Sequence, residues 1–176
     1  MRIEPWTAAA APRNEELVKA IEARRGGALL NLDRMLLWSE PLARGWNDYL
    51  RAIRTELSLS PFVRELAICV VARLTGADYE YRHHAPELAK AGATDAQLAL
   101  LDDPGVAASS PLYDDLQRAV IRFAIACTRD VRIPDSVFDE LRRRLTPTEV
   151  VELVAATATY NMVARFLVAL GVTPES

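Results

Sequence analysis

Apolar residues recur along most of the chain at the three- and four-residue spacing of amphipathic helices, and no alternating run is long enough to demand a strand. The pattern therefore predicts an all-α fold. Residues 103–110 give the clearest loop. The predicted helices cover residues 13–24, 31–38, 41–57, 61–75, 78–91, 95–102, 111–128, 135–144 and 147–170.

Local signals mark several of these helix starts. Ser60-Pro61 and Ser110-Pro111 place a hydroxyl residue before a proline, which favours the first helical position. Thr94–Gln97 and Thr146–Glu149 have the spacing of a capping box. Pro86 lies inside the fifth predicted helix and has no backbone N–H, so we expect that helix to kink or loosen just after His84.

The composition of the chain indicates its general class. The sequence has 176 residues, of which 51% are apolar and 26% charged, and this fits one globular domain with a sizeable core. The net charge of -3 and the scattered basic residues argue against a nucleic-acid partner. No apolar run approaches the roughly 20 residues of a membrane span, and the N-terminus lacks the apolar stretch of a signal peptide. We therefore expect no membrane partner and a cytoplasmic location.

The two cysteines lie in apolar helical runs. Cys69 and Cys127 are 58 residues apart, and neither belongs to a CxxC motif. Isolated cysteines in such settings are most often small buried hydrophobic residues. The sequence therefore predicts neither a disulfide nor a thiol-based metal site.

The candidate chemistry is concentrated in two consecutive helices. Glu80 and His84 are four residues apart and so project from one helix face, with His83 flanking them. The short connection after residue 75 should fold the two helices back as neighbours and bring Glu65 toward His84. A carboxylate bound to one imidazole nitrogen leaves the other free as acid or base, so Glu65, Glu80 and His84 are the predicted catalytic residues. The same spacing also occurs in ordinary exposed pairs worth about 0.2–0.5 kcal/mol.

Other residues of this region are candidates for substrate binding. Tyr79, Tyr81 and His83 could line a pocket, although aromatic residues near a helix start also serve as core or interface. Arg165 could bind a substrate carboxylate through its planar fork, or form an ion pair with a neighbouring helix. No metal site is predicted, because adjacent histidines such as His83 and His84 point about 100° apart around a helix.

The residues around these candidates resemble a known family. Leu57–Leu66, Ala77–His84 and Ala89–Gly92 are similar to the core of the carboxymuconolactone decarboxylase and alkylhydroperoxidase D-like superfamily, with a weaker likeness from Asn31 to Arg165. The resemblance implies a single domain over residues 1–176 that forms a helical bundle of the alkylhydroperoxidase D-like type. Residues 1–56 would be an N-terminal extension and residues 57–176 the core. It also implies a homo-oligomer.

The chain departs from the redox-active branch of this superfamily at the decisive positions. In that branch a glutamate stands twelve residues before a CxxCxxxH motif. Glu65 matches the glutamate and His84 the histidine, but Ala77 and Glu80 occupy the cysteine positions. Peroxide reduction by that branch needs one thiolate to attack and a second thiol to resolve the intermediate. Peroxidase activity is therefore not expected here.

The sequence leads to one main hypothesis and two alternatives. The main one is a cofactor-free acid–base enzyme of decarboxylase or lyase type acting on a small carbonyl compound or carboxylated lactone. His84 would shuttle the proton, Glu65 would orient the His84 ring, and Glu80 would be the second acid or base. One alternative is a non-catalytic oligomeric binding protein that has lost the redox cysteines. The other is a redox protein that uses a partner's thiol.

Overall fold

Residues 1–175, which the computed structural model describes, form ten α-helices and no β-strand. The predicted all-α fold class is confirmed. Predicted helix ends lie within two residues of the observed ones, except for the helix predicted to begin at residue 111. The helices are α1 (Glu15–Arg25), α2 (Asn31–Leu36), α3 (Glu40–Thr55), α4 (Pro61–Thr75), α5 (Asp78–Lys90), α6 (Asp95–Leu100), α7 (Pro104–Ala107), α8 (Asp115–Arg129), α9 (Asp135–Arg142) and α10 (Pro147–Leu170).

Two differences fall between α6 and α8. The expected loop over residues 103–110 contains the short helix α7, because the Asp103 side chain accepts from the N–H groups of Gly105 and Val106 and starts a helical turn. Helix α8 begins at Asp115 rather than at residue 111, since Asp114 and Gln117 form a capping box there. The Ser110-Pro111 signal is therefore a turn and not a helix start.

The other predicted helix starts are confirmed, whereas the kink or loosening expected just after His84 stays a prediction. Pro61 is the first residue of α4, and capping boxes begin α6 and α10. Helix α5 is continuous through Pro86 and ends at Lys90. The proline therefore does not end the helix that carries His84, although the missing N–H removes one hydrogen bond from the helical ladder.

The chain divides into two compact units. The first contains residues 1–57 and 169–175, and the second contains residues 58–168. In the first unit, Asp33 is 1% exposed, and Arg25 binds its two carboxylate oxygens at 2.9 and 3.0 Å. This pair ties α1 to α2. The single domain over residues 1–176, whose last residue lies outside the described range, stays a prediction.

The core of the second unit is built around α4. Leu66, Ala67, Ile68, Cys69 and Val70 have no exposed surface, as the apolar run in the sequence predicted. Helix α4 packs against α5 and α8. A helix enclosed on several sides is a rigid support, so polar side chains projecting from it are held in fixed positions.

Helix α10 is the other long apolar element. Its 24 residues are long and apolar enough to cross a membrane by length and composition, so the expectation that no segment would reach that length is wrong. A core helix passes the same test, and Leu153, Tyr160 and Ala164 on α10 have no exposed surface. The absence of a membrane partner stays a prediction.

Candidate active site

The connection between α4 and α5 brings the first two candidate residues together. Helix α4 is followed by Gly76, whose φ of 65° is the left-handed conformation that reverses the chain at little cost. Helix α5 then packs back along α4. As a result, His84 Nδ1 lies 2.6 Å from Glu65 Oε2, although the residues are 19 apart in sequence. The predicted approach of Glu65 to His84 is confirmed.

Both oxygens of Glu65 bind a donor. Oε2 contacts His84, and Arg64 Nε donates to Oε1 at 3.1 Å. Glu65 is only 4% exposed. Burial by itself raises the pKa of this carboxyl, but the hydrogen bonds and charges of His84 and Arg64 outweigh burial and bring the pKa below its usual value. Glu65 is therefore ionised at neutral pH.

The ionised carboxylate fixes the protonation pattern of His84. A carboxylate has no hydrogen to donate, so the proton of the contact lies on His84 Nδ1. This leaves Nε2 as the atom that can accept or release a proton. The Tyr160 ring packs nearly perpendicular to the imidazole, with centroids 4.7 Å apart and an interplanar angle of 84°. His84 is thus held by a carboxylate on one side and by an aromatic ring on another.

Tyr160 was not among the residues predicted from the sequence. It lies on the buried face of α10 and has no exposed surface. In the sequence it is one member of a long apolar pattern, typical of a core residue. Only the packing of α10 reveals that its ring meets His84, since no local spacing links residues 76 positions apart.

Glu80 belongs to the same buried cluster. It is 2% exposed and stands one turn before His84 on the same face of α5. Burial raises the pKa of the Cys69 thiol, and the charges of Glu65 and Glu80 raise it further. The charges of both carboxylates therefore reach the same buried thiol. All three predicted catalytic residues are therefore buried, and their catalytic roles stay a prediction.

Tyr79 and His83 form a second pair along α5. Their rings stack with centroids 4.4 Å apart and an angle of 27°. His83 Nδ1 donates to the Tyr79 carbonyl oxygen at 2.8 Å, because that oxygen can only accept. Tyr79 is 5% exposed and His83 is half-buried. Their part in substrate binding stays a prediction.

Solved structures of similar fold were found for the whole chain. An uncharacterized peroxidase-related protein from Ralstonia eutropha JMP134, described as an alkylhydroperoxidase AhpD core, has a TM-score of 0.81 at 18% identity, covering 99% of this chain and 92% of its own. A second peroxidase-related protein, from Silicibacter sp. TM1040, has a TM-score of 0.77 at 17% identity, with 100% and 90% covered. The debrominase Bmp8 in complex with 2,3,4-tribromopyrrole has a TM-score of 0.76 at 20% identity, with 100% and 92% covered.

Part of the sequence matches a family model. The model of the carboxymuconolactone decarboxylase family matches residues 40–113, the stretch that contains Glu65, Glu80 and His84. This stretch is similar to the carboxymuconolactone decarboxylase family, and the solved structures show an alkylhydroperoxidase D-like fold. No curated protein sequence matches the chain. The superfamily resemblance read from the sequence is confirmed.

Tyr81 has the contacts of a packing residue. Its hydroxyl donates to the Leu98 carbonyl oxygen at 3.3 Å. The guanidinium of Arg73 lies 3.5 Å from the ring centroid and also pairs with Asp102 at 2.5 Å. Burial raises the pKa of Tyr81. These contacts tie α5 to the following segment, and a role in substrate binding stays a prediction.

Arg165 binds a residue of its own helix rather than one of a neighbouring helix. The residue is exposed, and its Nη1 donates to the carbonyl oxygen and side-chain oxygen of Asn161 at 2.8 and 3.0 Å. Among the described residues it forms no ion pair, so the predicted salt bridge to a neighbouring helix is wrong. The reason is local, because Asn161 lies one turn away on the same helix. A role for Arg165 in substrate binding stays a prediction.

The two thiols of this chain do not form a redox pair. Cys69 and Cys127 are free, and burial raises the pKa of both thiols. Cys127 is half-buried rather than buried as expected. Over residues 1–175, no group of three or more histidine, cysteine or acidic residues is arranged to hold a metal ion. The predicted absence of a metal remains to be tested by metal analysis.

Proposed function

We propose that the chain is a cofactor-free acid–base enzyme of decarboxylase or lyase type that acts on a small carbonyl compound or carboxylated lactone. The observation that carries the proposal is the buried contact of 2.6 Å between His84 Nδ1 and Glu65 Oε2. It leaves His84 Nε2 as an oriented proton donor or acceptor in a site with little water. Similarity to the carboxymuconolactone decarboxylase family supports a catalytic role.

Each residue of the cluster has one role in the proposal. Glu65 fixes the tautomer of His84 and stabilises the imidazolium form by its charge. His84 carries the proton to or from the substrate. Glu80, one turn away and equally buried, exchanges a proton with the cluster as the second acid or base.

Decarboxylation illustrates how the site would work. The bond between the substrate carbon and its carboxylate breaks, carbon dioxide leaves, and the electron pair remains on the carbon. That carbon takes the proton from Nε2 of protonated His84, which forms a C–H bond and leaves His84 neutral. Glu80 or water then returns a proton to Nε2. No electron is exchanged with a second substrate, so the reaction needs no thiol.

The residues at the former thiol positions support acid–base chemistry over peroxide reduction. Ala77 and Glu80 stand where the redox branch has cysteines, and both remaining thiols have raised pKa values. A thiol that stays protonated is a poor nucleophile. The related debrominase, solved with a halogenated pyrrole, supports small-molecule chemistry on this fold.

A substrate screen with matched variants tests the proposal. We would incubate the protein with carboxylated lactones and small keto acids and follow product formation by NMR. Turnover should fall by a factor of about 100 or more in His84→Gln and Glu80→Gln, since general acid–base groups contribute factors of about 100 to 10,000. The exposed acid Glu87 lies on the same helix, so Glu87→Gln is the control and should keep full activity.

Two outcomes would reject these roles. Full activity in both His84→Gln and Glu80→Gln would exclude the proposed proton transfer. Stabilisation of the protein by a ligand without any turnover would favour the alternative, a binding protein that has lost its redox cysteines. Circular dichroism of each variant verifies that the fold is intact.

Self-association and a cytoplasmic location belong to the same proposal. Val151, Val154 and Met162 on α10 are 67%, 37% and 42% exposed, and exposed apolar residues at helical spacing support a contact with a second copy. The net charge of -3 supports a small molecule rather than a nucleic acid as the partner of the site.

A further inference from the structure

Arg64 is a cation next to the Glu65–His84 pair. Most of the hydrogen-bond donors of Arg64 are unused. Its Nε donates to Glu65 Oε1 at 3.1 Å, and its side chain is only 13% exposed. Within residues 1–175, its two terminal nitrogens Nη1 and Nη2 have no hydrogen-bond or ion-pair partner. A guanidinium carries five N–H donors, so most of those on Arg64 are unused.

Another arginine of similar burial shows what a purely structural pair looks like. The side chain of Arg25 is 11% exposed, and it binds both oxygens of Asp33 with two of its nitrogens. Arg64 does not bind Glu65 in this way, because it contacts only Oε1 while Oε2 accepts from His84. The Nη1–Nη2 edge of Arg64 is consequently left open beside the pair. A mostly buried charge with open donors is costly unless something binds it.

We infer that Arg64 is the residue that anchors the substrate, by binding a carboxylate on its Nη1–Nη2 edge. This inference rests on the proposed function, since it assigns a binding residue to the same site. A planar guanidinium edge matches the two oxygens of a carboxylate, which gives orientation as well as affinity. Both Arg64 Nε and His84 Nδ1 bind the one carboxylate of Glu65, so an anchored substrate would lie beside the imidazole.

The anchored carboxylate is not the group that reacts. A guanidinium stabilises the negative charge of a bound carboxylate, which would oppose its loss as carbon dioxide. The anchor therefore holds an anionic group that stays on the product, while the reacting carbon faces His84 Nε2. Arg64 would act on specificity, by favouring small acids over their neutral esters.

Binding measurements on three pairs of compounds test this assignment. The probes are levulinate, benzoate and 5-oxotetrahydrofuran-2-carboxylate, each compared with its methyl ester, by NMR titration at low salt. We expect the unsubstituted protein to prefer at least one acid over its ester. In Arg64→Gln that acid should bind about tenfold more weakly or worse, with the ester unaffected. Arg64→Lys keeps the charge without the planar fork and should give an intermediate loss.

A matched control separates the anchor from general charge effects. Arg82 is an exposed arginine on α5, and Arg82→Gln should leave the preference for the acid within about twofold, as expected for a screened surface charge. A merely structural role of Arg64 would weaken acid and ester alike, so the ratio of the two affinities is the decisive quantity. Should Arg64→Gln fail to fold, Arg64→Lys supplies the same ratio.

The results also separate this inference from the proposed function. Equal acid preference in Arg64→Gln and the unsubstituted protein would overturn the anchor, as would the absence of any acid preference in the unsubstituted protein. Turnover that is lost in His84→Gln would still leave the proposed function standing. Conversely, acid binding that depends on Arg64 without any turnover would retain the anchor and reject the enzyme.

Discussion

Glu65 is a single side chain that links the stability of the fold to the chemistry of the site. One of its oxygens orients His84 and the other holds Arg64. The proximity of Glu65 to His84 could be predicted from the sequence, because a short turn between two helices leaves few arrangements. The positions of Arg64 and Tyr160 could not, since both depend on side-chain directions and on the packing of distant segments.

The lowered pKa of Glu65 predicts a specific dependence of stability on pH. Its pKa in the folded state lies below the unfolded value of about 4.3, so the folded protein binds fewer protons through that range. The stabilisation is fully present above the unfolded pKa and is lost as pH falls through the folded pKa. In Glu65→Gln the free energy of unfolding at pH 7 should drop by about 1–3 kcal/mol.

Urea unfolding between pH 7 and pH 3 measures this effect. The difference in stability between the unsubstituted protein and Glu65→Gln should shrink as the solution becomes acidic. Glu87→Gln is the matched control, because Glu87 is an exposed acid that pairs with Lys90 on the surface. Parallel pH curves for the Glu65→Gln variant and the unsubstituted protein would contradict the assignment.

At the scale of helices, the sequence was most informative where a strong signal stood alone. Helices α4 and α10 have the predicted bounds, since a proline begins each and a glycine follows each. The predicted start of α8 was wrong because two helix-start signals, at Ser110 and at Asp114, lie within five residues of each other. The capping box of Asp114 and Gln117 satisfies two backbone donors, whereas the Ser110-Pro111 pair offers no comparable arrangement.

This competition can be measured by substitution. Asp114→Ala removes the oxygen that accepts from the Gln117 N–H at 2.8 Å, and it should lower the free energy of unfolding by about 1 kcal/mol. Ser110→Ala removes only an exposed hydrogen bond of 3.2 Å from the Leu112 N–H and should cost less than about 0.5 kcal/mol. Thermal or urea unfolding compares the two variants. A larger cost for Ser110→Ala would show that the helix begins earlier than Asp115.

For the molecule as a whole, composition and helical pattern were sufficient for the fold class, and the superfamily followed from the motif around Glu65 and His84. The division into two compact units could not be predicted, because the C-terminal residues 169–175 group with the N-terminal segment across most of the sequence. Such a pairing leaves no local signal. The enclosed site and the outward face of α10 likewise become distinguishable only after the helices are packed.

The exposed apolar residues of α10 lead to a prediction about assembly. The double substitution Val154→Glu and Met162→Glu adds two charges to the outward face and should lower the molecular mass measured by light scattering. Val106 is 51% exposed on α7, and Val106→Glu is the control that should leave the mass unchanged. A monomeric unsubstituted protein, or an unchanged oligomer in the double variant, would exclude this face as the contact.

The closed environment of Cys69 has a consequence for the conditions in which the protein can work. Cys69 lies on α4 and has no exposed surface, and burial and two nearby carboxylates disfavour its thiolate form. Oxidants attack thiolates rather than protonated, inaccessible sulfur. Under the proposed mechanism no thiol takes part in catalysis, so the enzyme would need no thioredoxin-like reductant to regenerate it.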